Sequence, residues 1–151
     1  MLEGTFSASL VRLLMGLSLV LGSPAVKAES SWLTVSGNPD DFQTDVVQVD
    51  PASLSGNPSF PTLSVRVSRA TLRTSWDNVP YRSYTSTVLI DCADKSGRYT
   101  EITFYMMPFW QGKPHKSTTF APEEMRPMRF RQIEPNPTSR IVRAACAAFT
   151  R

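Results

Sequence analysis

The sequence predicts an α+β fold: a small antiparallel β-sheet, a meander of about five to six strands, with a C-terminal α-helix packed on one face and one disulfide. Three observations carry this. Between Trp32 and Phe120 apolar and polar residues repeatedly alternate with the period of a half-buried strand. The one stretch with helical period comes last, after Asn136-Pro137. The chain has only two cysteines, Cys92 and Cys146.

The order of elements begins with residues 1–28, which have the form of a cleaved export signal. Arg12 ends a short n-region, Leu13–Leu21 is apolar, and Ala25-Val26-Lys27-Ala28 offers small residues for cleavage. The apolar run is shorter than the roughly 18 to 20 residues a spanning helix needs, and the alternative is a retained signal anchor. Neither cysteine is near the cleavage site, so no lipid anchor is expected. Residues 29–151 then form a single domain that is exported to the periplasm, the cell surface or the exterior.

Trp32–Val35 is a first strand and Asn38-Pro39-Asp40 a turn. Asp45–Asp50, with Val46, Val47 and Val49, is a second strand that Asp50-Pro51 should stop, leaving an exposed loop as far as Pro61. From Thr62, Leu63, Val65 and Val67 face one way. The apolar phase then slips to Ala70 and Leu72, which predicts a bulge near Ser68 or Arg69. Trp76–Pro80 is a hairpin connection. Tyr84, Val88, Ile90 and Cys92 share a face of the next strand, and Ile102, Phe104 and Met106 one of the strand after it. Phe109–Lys116 is a loop, Ser117–Phe120 a short strand, and Ala121–Met128 a polar approach to Phe130.

In the helix, Asn136 is placed to cap and Pro137 to occupy the first helical position. Val142, Ala145, Cys146 and Phe149 follow at i, i+3, i+4 and i+7, with Ile141 and Ala148 beside them and Arg140, Arg143 and Ala144 opposite. An exported chain with two cysteines pairs them, so Cys92 is expected to bond Cys146. Closing a loop of about 55 residues stabilises by roughly 4 kcal/mol.

Residues 29–151 carry fourteen Lys and Arg against twelve Asp and Glu, which argues against a nucleic-acid surface. The strand arginines are expected to form a solvated face. His115 is the single histidine, and no Ser/His/Asp set, HExxH, phosphate-binding Gly loop or metal-spaced Cys/His cluster is present. The acidic pairs Asp40/Asp41 and Glu123/Glu124 lie in polar turns. No enzymatic activity, cofactor or metal is therefore expected. The alternative is that Met106, Met107, His115, Met125 and Met128 act as soft ligands for copper or haem, although their spacing matches no known pattern.

The order Trp32, Val49-Asp50-Pro51-Ala52-Ser53, Tyr81-Arg82-Ser83, Ile90-Asp91-Cys92, an aromatic strand leading to Gly112, Phe130-Arg131-Gln132-Ile133-Glu134-Pro135 and a helix ending in Ala145-Cys146 resembles the surface-adhesin protein E family of bacterial envelope proteins. Phe130 stands where relatives often carry Trp. The resemblance implies a small sheet tied to a helix by a disulfide. It also implies adhesion to host matrix or plasma proteins such as vitronectin, laminin and plasminogen.

The segment Phe104–Trp110 supplies the candidate contact residues. A strand buries only alternate side chains, which leaves Tyr105, Met107, Phe109 and Trp110 as a partner-binding surface or homodimer interface, since such residues are enriched at interface centres. The competing arrangement packs them under the loops. The expected activity is thus non-enzymatic binding of an extracellular matrix or plasma protein; the alternative is a periplasmic structural or accessory protein of the cell envelope.

Overall fold

The computed structural model describes residues 31–149; the expected leader, residues 1–28, lies outside them. One antiparallel sheet runs in chain order through β1 (Leu33–Ser36), β2 (Val46–Asn57), β3 (Phe60–Thr74), β4 (Pro80–Asp91), β5 (Ser96–Tyr105) and β6 (Lys116–Thr119). A seventh strand, β7 (Arg126–Pro127), also pairs with β5, so the sheet is larger than the five to six strands expected. β7 lies beside Arg98 and Tyr99, below the stretch Glu101–Phe104 that β6 occupies. The final element is α1 (Thr138–Ala148).

Two strands depart from the sequence reading. Pro51 does not end β2. The register shifts between Asp50, opposite Ser64, and Ser55, opposite Thr62, and the strand resumes to Asn57. Within this bulge the Asp50 carboxylate accepts from the Ala52 N–H at 3.0 Å and Ser53 Oγ accepts from the Ser64 N–H at 2.8 Å. These side chains replace the ladder bonds that the proline region interrupts. In β3 the expected irregularity falls between Ser68 and Arg73. Its consequence differs, because Leu72 is 56% exposed and Arg69 only 4% exposed. An arginine, not the leucine, turns inward, which corrects the expectation that strand arginines form a solvated face. Its charge is met by Asp45, 2.9 Å away.

The inner face of the sheet carries Val47, Val49, Leu63, Val65, Val67, Tyr84, Val88, Ile90, Ile102 and Phe104, all buried in one core cluster. Met128, Phe130 and Ile133 enter that cluster from the segment before the helix, and α1 contributes Ile141, Val142 and Ala145. Gly97 permits the approach of this segment, since a Cβ there would lie 2.9 Å from Met128 Cε. The Met128 N–H donates to the Gly97 carbonyl at 2.8 Å, extending the pairing that β7 begins. Met106, expected to face inward, lies beyond β5 and is 43% exposed.

Asn136 accepts a bond from the Thr138 N–H at 3.1 Å and donates to the Phe130 carbonyl at 3.0 Å. It thus fixes the helix start to the aromatic wedge before it. Pro137 precedes the first helical residue instead of being it. The Cys92–Cys146 disulfide joins the end of β4 to the last turn of α1, with Cα atoms 5.7 Å apart. No described helix is long and apolar enough to cross a membrane.

Candidate functional site

The opposite, outer face of the sheet carries the candidate contact residues. β5 ends at Tyr105, and Met106-Met107 leads into a 3-10 turn, Pro108–Trp110, that folds back over β3 and β4. Phe109 and Trp110 both take positive φ angles, 53° and 60°, which non-glycine residues hold only where surrounding bonds over-determine them. Those bonds are present. The Phe109 N–H donates to Ser68 Oγ at 3.0 Å and the Trp110 N–H to Ser83 Oγ at 2.9 Å. Ser83 Oγ in turn donates to the Met107 carbonyl at 2.7 Å, and Trp110 Nε1 donates to the Tyr84 carbonyl at 2.8 Å.

Trp110 thereby covers part of the outer face, where its ring lies 3.9 Å from the Arg66 guanidinium carbon. Trp32 lies 4.0 Å from the same carbon, so two tryptophans flank one cation. Arg66 Nε donates to Gln48 Oε1 at 2.7 Å, and Gln48 Nε2 donates to Thr34 Oγ1 at 2.9 Å. Burial lowers the Arg66 pKa to about 10, partly offset by the Asp50 carboxylate. It remains a cation at neutral pH, and in so desolvated a place cation–π attraction is stronger than at an open surface.

The four sequence-predicted residues are therefore not equivalent. Met107 is 52% exposed and stands beside the exposed Met106. Phe109 and Trp110, 6.0 Å apart between ring centroids, and Tyr105 are half-buried. The structure brings Met107, Phe109 and Trp110 together on one turn and adds Trp32 and Arg66, which the sequence reading placed in a first strand and on a solvated face. Nothing local in sequence links Trp32, Arg66 and Trp110; only the register of β1, β2 and β3 brings them together.

The methionines of the soft-ligand alternative occupy different environments. Met128 is in the core while Met106 and Met107 face solvent, and the His115 N–H is bonded to the Phe104 carbonyl at 2.8 Å. Among the described residues no three His, Cys, Asp or Glu side chains form a metal-binding group. What the arrangement offers chemically is a polarizable, apolar contact surface on a hydrogen-bonded turn, with a half-buried cation behind it.

Comparison with known proteins gives one family match. The family model described as surface-adhesin protein E matches residues 32–147. Two solved structures of protein E are similar. A second crystal form of the Haemophilus influenzae protein is 13% identical, covering 85% of this chain and 97% of that one, with a TM-score of 0.48. Protein E from non-typeable Haemophilus influenzae is 14% identical, covering 85% of this chain and 83% of that one, also at 0.48. No curated protein matches the chain.

Proposed function

Because the chain belongs to the surface-adhesin protein E family, we propose that it is an exported, non-enzymatic binding protein that contacts an extracellular matrix or plasma protein. In this reading residues 1–28 are a cleaved leader, residues 29–151 form one domain with α1 laid on the inner face of the sheet, and no lipid holds it to a membrane. The contact surface is the edge made by Tyr105, Met107, Phe109 and Trp110. Met107 and its neighbour Met106 touch the partner; Phe109 and Trp110 hold the turn.

The observation that carries this reading is the pair of adjacent exposed methionines on a turn pinned to β3 and β4 by four hydrogen bonds. Methionine adapts its shape to a partner, which suits a surface that meets large, varied proteins. A backbone that is already ordered avoids the entropy cost of ordering a loop on binding.

The test uses protein expressed with its own leader and purified after export, applied to immobilised vitronectin, laminin and plasminogen. Saturable binding by the folded form, absent from a reduced and urea-unfolded sample, is the expected result. Absence of binding to all three would favour a periplasmic accessory role.

A further inference from the structure

We propose that a cleft on the inner side of the sheet, near Trp76, binds a small carboxylate carried on a compact apolar group. The cleft has a volume of about 100 Å³ and is lined by Arg69, Arg129, Arg131, Trp76, Tyr81 and Phe104, among others. At about 30 Å³ per water of liquid, this is room for roughly three water-sized groups, enough for the carboxylate itself while the attached carbons lie toward the opening. None of Tyr105, Met107, Phe109 and Trp110 lines it, so the proposal is independent of the protein-binding reading.

Charge argues for an anion. Asp45 is the one carboxylate among the described residues that pairs with this group, 2.9 Å from Arg69 and 3.9 Å from Arg73. Arg129 and Arg131 have no ion pair among the described residues. Three guanidiniums line the cleft and Arg73 lies beyond its lining, and among the described residues Asp45 is the one carboxylate paired with any of them. Arg69 Nη1 donates to Asp45 Oδ2 and to the Arg131 carbonyl, but its Nε–H is buried without an acceptor, as is that of Arg73. Buried polar groups lacking a partner are rare in native structures. A second carboxylate supplies the missing negative charge, and the planar fork of arginine matches it.

The remaining wall selects among anions. Trp76, 38% exposed, stands at the opening, and Tyr81 and Phe104 pack at 5.2 Å between centroids. A strongly hydrated sulfate or phosphate gains nothing from this aromatic wall. A carboxylate with two or three attached carbons places its charge toward the arginines and its carbons against the rings. Two sources carry that group: a free short-chain organic acid and the C-terminal residue of a polypeptide.

The experiment is a titration of the exported protein with isobutyrate, N-acetyl-alanine, N-acetyl-alanine amide and sulfate. It reads the melting temperature and the Trp76 indole N–H resonance. The two acids should raise the melting temperature saturably and shift the indole signal, while the amide and sulfate do neither. Tighter binding of isobutyrate identifies the free acid, and tighter binding of N-acetyl-alanine a polypeptide C-terminus. The exposed pair Arg129→Gln/Arg131→Gln should weaken the acids at least about tenfold with the fold retained. Binding should fade as pH falls through the ligand's own pKa, near the carboxylate value of about 4. Equal effects of acid and amide, equal effects of sulfate and acid, or unchanged binding by the double variant would each overturn the proposal. Should that variant misfold, the comparison of acid with amide on the native protein decides.

Discussion

Removing the crosslink is the perturbation whose size follows most directly from the architecture. Cys92 and Cys146 are 54 positions apart and tie the end of β4 to the last turn of α1. Between them lie β5, β6, β7 and the aromatic wedge at Phe130. Breaking the bond frees that whole span in the unfolded chain, which by loop-closure entropy costs about 4 kcal/mol at 25 °C. Both cysteines are half-buried, so replacing them with Ser in the double variant Cys92→Ser/Cys146→Ser leaves little cavity. A domain of this size has a total stability on the order of 6 to 18 kcal/mol, so the loss is a large share of it. Urea unfolding followed by tryptophan fluorescence measures it. The variant should show a lower midpoint and a steeper slope, because its unfolded state is more expanded. A loss below about 1 kcal/mol would refute the reasoning and mean that the unfolded chain is already restricted by residual structure.

Other consequences concern buried charge, the aromatic core and pH. Asp45→Ala strands Arg69 and the Ala70 N–H and should cost about 3–5 kcal/mol in the same assay. Phe130 is wholly buried, and Phe130→Ala should cost a similar amount, about 3–5 kcal/mol. Trp32→Ala removes one of two rings from Arg66 and should cost about 1–2 kcal/mol beyond its lost packing, measured against Arg66→Met in a double-mutant cycle. Tyr84 and Tyr99 share a hydrogen bond of 2.8 Å, and burial raises both phenol pKa values. Their contribution is complete below the unfolded value of about 10 and falls as pH rises above it, since the unfolded chain loses those protons first. Arg66, lowered to about 10 by burial, works in the opposite sense and offsets part of the slope. The urea midpoint should fall between about pH 9 and about pH 11, and in Tyr84→Phe/Tyr99→Phe that fall should disappear, leaving only the opposite contribution of Arg66.

The parts of this fold that were legible in the sequence are those in which local pattern and tertiary role agree. Leu63, Val65 and Val67 alternate and lie in the core, the helical period after Pro137 forms α1, and the two cysteines meet. The misread parts are those where a distant partner overrides the local signal. Pro51 ends a strand by its missing N–H, yet Ser53 and Asp50 supply side-chain bonds and β2 continues. Leu72 turns outward and Arg69 inward because Asp45, 24 positions away, neutralises the buried charge. β7 has no apolar alternation because it is two residues long. For the candidate edge, the aromatic and methionine content of Phe104–Trp110 was visible. The division of labour was not, since the positive φ angles at Phe109 and Trp110 depend on Ser68 and Ser83.

If partner binding runs through the methionine edge, affinity and stability must separate when that edge is changed. The native protein and its Met106→Ser/Met107→Ser variant are compared on whichever of vitronectin, laminin or plasminogen the native form binds, with melting temperatures recorded alongside. Both methionines are exposed, so the variant should melt within a few degrees of the native protein while its affinity falls about tenfold or more. Unchanged affinity at unchanged stability would contradict the account and move the contact surface elsewhere on the molecule.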